Sequence, residues 1–274
     1  MSQRRSTRLA LSALTLCLFG TSCAARQTTA SRAPAAPDLA PAPVVLAPTV
    51  EAARTPAAGT PPRTIVLIGD STTYGSPPPK QGIQSPYNPG AALEALLATL
   101  EPLPEEGGTA WRDARVFNLA VAASTTTLWL QRPPIGCNSV LTVFPVVKRA
   151  CAAQVSWVEA IPLAVEGGRI DAVIIDLGIN DLLITKNPVE TVDRLETIRD
   201  ALGPVPVLFY PPIAPRDGPR GDWPERVRAE MVARGLFAEP QYPPYLPTWD
   251  KLHPTHGGYA AMGALWLDGL RKLP

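Results

Sequence analysis

A chain of 274 residues with 25 Lys and Arg against 24 Asp and Glu has a formal net charge of +1. No strong field gathers nucleic acid or an anionic membrane surface, and no nucleic-acid motif is present. The length allows one large domain or two small ones, and the 33 prolines fall unevenly, setting an Ala- and Pro-rich front end apart from the rest.

Residues 1–23 follow the order of an export signal: Arg4, Arg5 and Arg8, an apolar run from Leu9 to Phe19, then Gly20, Thr21 and Ser22 ahead of Cys23. The apolar run is short for a bilayer span. Cys23 after small residues resembles the lipidation site of a bacterial lipoprotein, although Gly20 stands where a larger aliphatic is usual. The expected localisation is the cell envelope, anchored through Cys23. The alternative is plain secretion with Cys23 incidental. Residues 24–62 interleave prolines such as Pro34, Pro41, Pro48 and Pro56 with alanine. Such a tract lacks donors and burial area and reads as an extended tether without a packed core.

The folded domain is expected over 63–274. Strands are predicted at 64–68, 114–121, 170–177 and 205–210. Helices are predicted at 91–100, 154–164, 189–202, 223–236 and 258–273. Pro162 kinks or caps the second of these helices. The strands are continuously apolar and alternate with helices, which argues for a parallel sheet covered on both faces. In such sheets ligands bind beyond the carboxyl ends of the strands. Of four cysteines, only Cys137 and Cys151 fall in the domain; in an exported protein they are expected to pair, the alternative being two buried thiols. With two histidines and no Cys or His pair at ligand spacing, no metal site is expected.

Three strand ends carry polar residues suited to chemistry. The first ends in Gly69-Asp70-Ser71-Thr72, where a serine at a sharp turn exposes both its hydroxyl and its N–H; the same tripeptide is also a common capped turn. Asn118 and Asn180 close the second and third strands and serve equally as a satisfied turn residue and a helix cap. Near the C-terminus, Asp250-Lys251-Leu252-His253-Pro254 lets one loop present a base and the carboxylate that orients it. His256 is the competing histidine and reads better as a first-turn surface residue. The Gly-x-Ser-x-Gly elbow of another hydrolase class is absent, since Thr72-Thr73 follow Ser71.

Taken together and in this order, these blocks resemble the GDSL, or SGNH, hydrolases over 63–274. The resemblance implies a three-layer α/β/α sandwich around a central parallel, flavodoxin-like sheet, and serine ester hydrolysis without a cofactor. It implies Ser71 as nucleophile, His253 as base and Asp250 as its carboxylate. The oxyanion hole would combine the N–H groups of Ser71 and Ala120 with the Asn180 side chain. Ala120 stands where the family has glycine, and its methyl group disfavours φ > 0. Family members cleave acetyl groups from polysaccharides, fatty acyl esters and thioesters. The expected substrate here is a short acyl group, such as acetyl, on a carbohydrate, with Trp249 and Tyr245 on the rim and Trp249 alternatively a supporting aromatic. A lipid or acyl-chain esterase is the near alternative, and a catalytically silent envelope-anchored binding protein the more distant one. The only expected contact with a membrane is the N-terminal lipid.

Overall fold

The computed structural model describes residues 62–75, 87–100, 111–213, 220–236 and 246–273. The expected export signal with Cys23, residues 24–61 of the tether, and Tyr245 lie outside the described residues. Four short apolar runs form the strands: β1 (Thr64–Gly69), β2 (Arg115–Asn118), β3 (Ala172–Asp176) and β4 (Val207–Tyr210). They lie in the order β2-β1-β3-β4 and every pairing is parallel. All residues of β1 and β3 are buried, whereas β2, at the edge, is not. That difference matches the sequence, since β2 opens on Arg115 while β1 and β3 are almost wholly apolar.

Alternate strand residues reach opposite faces. Val66, Ile68, Val173 and Ile175 pack with Trp129, Trp157, Leu195 and Val227. Ile65, Leu67, Ile174 and Leu208 pack with Leu93, Leu97, Met262 and Trp266. The first layer belongs to helices α3 (Thr126–Leu130), α4 (Pro145–Ala153), α5 (Ile161–Ala164), α6 (Pro188–Leu202) and α7 (Trp223–Ala233). The second belongs to α2 (Pro89–Ala98) and α8 (His256–Leu270). The result is the three-layer α/β/α sandwich that the alternation of elements predicts. Helices α2 and α8 cross closely at Gly263, where a Cβ would stand 2.9 Å from the Leu93 nitrogen and 3.0 Å from the Ala92 Cβ.

One predicted helix is corrected. Instead of a helix over 154–164, α4 ends at Gln154, which takes a left-handed φ of 58°, and only the last four residues of that window, α5, are helical. Trp157, Val158 and Ala160 are nonetheless buried, so their apolar spacing arises from packing without helical periodicity. Pro162 lies in the first turn of α5, where its missing N–H is harmless. Helix α3 and a four-residue helix α1 (Ser71–Tyr74) are too short to leave a periodic signal.

Cys137 and Cys151 form a disulfide with 5.4 Å between their Cα atoms and a sequence separation of 14. It ties the irregular segment after α3 to α4. Closing a loop of this size stabilises by about 3 kcal/mol in the chain-entropy description. Replacing both cysteines with Ala is expected to lower the unfolding free energy by about that amount in urea titration, with the circular dichroism of the folded state kept under native conditions. An unchanged urea midpoint would assign the bridge no stabilising role.

Candidate active site

The sequence-predicted polar residues converge at the carboxyl edge of the sheet. β1 stops at Gly69 because a side chain has no room there: a Cβ would lie 2.2 Å from Thr73 Oγ1 and 2.8 Å from the Asp176 carbonyl oxygen. The chain then turns into α1, with Asp70 as its cap. Asp70 Oδ1 accepts from the Thr72 amide and hydroxyl, both at 3.0 Å. Ser71 is therefore the first helical residue, and among the described residues its N–H has no acceptor, as befits a helix start.

Ser71 Oγ lies 3.0 Å from His253 Nε2, and His253 Nδ1 lies 2.6 Å from Asp250 Oδ2. The loop carrying the acid and base is built by the acid itself. Asp250 Oδ1 accepts from the Leu252 and His253 amides at 3.0 and 2.7 Å, while Lys251 takes a positive φ of 64°. A bridge between Thr248 and Pro254 and a bond from the Trp249 amide to the His253 carbonyl at 3.1 Å close the turn. One carboxylate oxygen thus shapes the backbone, and the other orients the ring and selects its Nδ1–H tautomer. Partial burial raises the Asp250 pKa, but the hydrogen bonds from His253 and Leu252 and the His253 charge outweigh it, leaving the group below its ordinary range. Asp250 therefore favours its ionised form beside the His253 ring.

The backbone N–H groups of the loop after β2 differ in their engagement. Ala120 is buried, and its N–H donates to Asn118 Oδ1 at 3.1 Å. Asn118 is in turn a satisfied turn residue, donating from Nδ2 to the Thr73 carbonyl at 2.7 Å. The Ala120 amide is thus already engaged within its own turn. The residue of this loop that exposes its backbone is Ala123, with φ of 61° and, among the described residues, no acceptor for its N–H. Its neighbours hold it beside the serine turn. Val121 N–H and Ser124 Oγ both donate to the Gly69 carbonyl, at 3.0 and 3.2 Å. The positive φ of this loop therefore falls at Ala123, three residues after Ala120, where the order of residues alone does not locate it.

Asn180 is buried and precedes a single 3₁₀ turn, Asp181–Leu183, without capping it through its side chain. Its Nδ2 donates to the Ser124 carbonyl at 3.2 Å, and its Oδ1 accepts from Arg220 Nη2 at 3.1 Å. Arg220 has no signature in the sequence, because nothing local links the end of one loop to the asparagine of another. Trp249 is 54% exposed and stacks on His253, with ring centroids 5.9 Å apart and 20° between planes. It packs on the loop of His253 and still offers area to solvent. His256 opens α8 and packs against Tyr87, with ring centroids 4.7 Å apart. Among the described residues no group of three or more His, Cys, Asp or Glu is arranged to hold a metal ion.

Beneath the serine lie buried carboxylates. Asp181 accepts from the Thr126 amide and hydroxyl and Asp176 Oδ2 accepts from the Thr73 hydroxyl. Asp70 Oδ2 is buried without a hydrogen-bond partner. Burial pushes the Asp70 carboxyl up to about 6, against the opposing effect of the Thr72 hydrogen bonds and the His253 charge.

No protein-family model and no curated protein matches the chain. Among solved structures, it is similar to a lipase/acylhydrolase from Enterococcus faecalis, at 22% identity and a TM-score of 0.46, over 76% of this chain and 95% of that one. It is also similar to an acetylxylan esterase from Geobacillus stearothermophilus, at 18% identity and a TM-score of 0.45, over 76% of this chain and 94% of that one.

Two outcomes are expected from this geometry. Ala123→Gly relieves a left-handed alanine and is expected to be neutral or stabilising by about 0.5 kcal/mol, whereas Ala120→Gly, at a buried site of ordinary φ, destabilises by about 1 kcal/mol. Thermal unfolding of the two variants measures this, and the reverse order would return the strain to Ala120. The second concerns Asp70, whose pKa in the folded state is raised, so its ionisation opposes folding. Its favourable contribution is complete below about pH 4 and is lost as pH rises through about 6. Asp70→Asn should therefore gain stability over wild type between pH 4 and pH 8, by at most about 3 kcal/mol. A stability difference independent of pH would refute the raised pKa.

Proposed function

We propose that this protein is a serine ester hydrolase. The observation that carries the reading is the continuous relay from Ser71 Oγ through His253 to Asp250, with contacts of 3.0 and 2.6 Å. His253 takes the Ser71 proton as Oγ attacks the ester carbonyl, and Asp250 stabilises the imidazolium that forms. The oxyanion is held by the Ser71 N–H, the Asn180 side chain and the Ala123 N–H, which replaces the Ala120 N–H in this role. His253 returns the proton to the departing alcohol. A water molecule, deprotonated by the same base, then cleaves the acyl-enzyme and restores Ser71.

Our reading of the substrate is a short acyl group, such as acetyl, on a carbohydrate. The exposed Trp249 beside the base supports it, because an aromatic face suits a sugar ring. A longer acyl chain is the second reading. It is favoured by Leu183 and Ile184, both exposed and apolar, which follow Asn180 within four residues. For the cell, we propose export and attachment through Cys23, supported by the order of residues 1–23 and by a disulfide suited to an oxidising compartment. An unlipidated mature N-terminus beginning at Ala24 or later, read by mass spectrometry, would replace the anchor with secretion.

The decisive measurement is hydrolysis of a chromogenic acetate ester. Ser71→Ala is expected to fall to background, and Asp250→Asn to lose about 10³–10⁴-fold in kcat with the fold intact. If wild type and Ser71→Ala shared one rate on esters from acetyl to long acyl and on acetylated polysaccharide, a silent binding protein would take the place of the enzyme. Within an active enzyme, the acyl-length series separates the two substrate readings.

A further inference from the structure

The side chain of Asn180 is held at both ends. A carboxamide has two ends of similar shape and opposite chemistry. A guanidinium only donates and a backbone carbonyl only accepts. Arg220 Nη2 meets Asn180 Oδ1 at 3.1 Å, and Asn180 Nδ2 meets the Ser124 carbonyl at 3.2 Å. Both contacts demand the same orientation, with the carbonyl toward Arg220 and the amino group toward the loop beside Ser71. One of the two N–H bonds is engaged by Ser124 and the other is left for a reacting oxygen.

Arg220 is itself tied to the same strand end. Its carbonyl accepts from the Trp223 amide at 3.2 Å, and the Trp223 ring N–H donates to the Gly178 carbonyl at 2.9 Å, two residues before Asn180. Among the described residues no carboxylate pairs with Arg220, and its Nε is buried without a hydrogen-bond partner. The positive charge of Arg220 therefore bears directly on the Asn180 carbonyl oxygen.

We infer that Arg220 is a positioning residue of the oxyanion hole: it locks the Asn180 carboxamide in its donating orientation and polarises it toward the negative charge that builds on the acyl oxygen. The inference rests on the ester-hydrolase reading above. Hydrogen bonds in series strengthen one another, and a cation at the carbonyl end makes the distal N–H a better donor. The charge it answers exists only in the transition state, so the effect falls on kcat and leaves substrate binding nearly untouched.

The test is a double-mutant cycle on the full chain with a chromogenic acetate ester, checked by the rate at which a fluorophosphonate probe labels Ser71. Arg220→Met is expected to lower kcat by about tenfold to a hundredfold with KM within about threefold, and Asn180→Ala by about 10²–10³-fold. The double variant should be no slower than Asn180→Ala, because Arg220 acts through that residue. Arg220→Lys, which keeps a charge, should retain more activity than Arg220→Met. It also carries the cycle if the Met variant does not fold. A wild-type kcat in Arg220→Met, or losses that multiply in the double variant, would overturn the positioning role. A wild type no faster than Ser71→Ala would instead remove the hydrolase reading beneath it.

Discussion

The site depends on a close contact at the end of β1. Gly69 has no side chain, and the space a methyl group would need is taken by Thr73 and by the Asp176 carbonyl of the neighbouring strand. That approach lets α1 fold back immediately after the strand and sets Ser71 at its first residue. The carbonyl of the same glycine receives Val121 and Ser124 from the loop after β2. Ser124 in turn receives Asn180 from the end of β3. Three strand ends are thus fastened to one another within a few bonds of the nucleophile, and the donors around it inherit the rigidity of the sheet.

Three aspartates near the serine show how environment assigns different behaviour to one side chain. Asp250 is partly exposed and accepts two amides and a ring N–H, so its charged form prevails. Asp181 and Asp70 are buried, and burial raises both despite their threonine partners. The relay needs a fixed anion behind His253, and it is found where the hydrogen bonds converge. The buried acids instead shape the floor of the site, with Asp70 capping α1 and Asp181 anchoring the start of α3 through Thr126.

Legibility from sequence followed the range of the interactions. Asp250 and His253 lie three residues apart and are joined by local bonds, so their spacing carried the signal. Ser71 was readable because a strand, a glycine and a cap are consecutive in the chain. The sheet was readable because its apolar runs are continuous. Ala120 and Ala123 could not be separated this way, since the distinction depends on which amide Asn118 engages and which residue is left-handed. Arg220 was missed because its meaning comes from a contact forty residues away. The apolar residues between α4 and α5 imitate a helix because Trp157 and Val158 are buried for tertiary reasons.

Ser71 and His253 meet across 182 residues of sequence. Ser71 opens the short helix after the first strand, and His253 lies in the loop before the last helix. A polypeptide that emerges from its N-terminus completes the sheet's centre early and its acid–base loop almost last. Without the loop before α8, the Ser71 hydroxyl has no imidazole beside it. The pairing of Ser71 with His253 is thereby coupled by topology to completion of the domain.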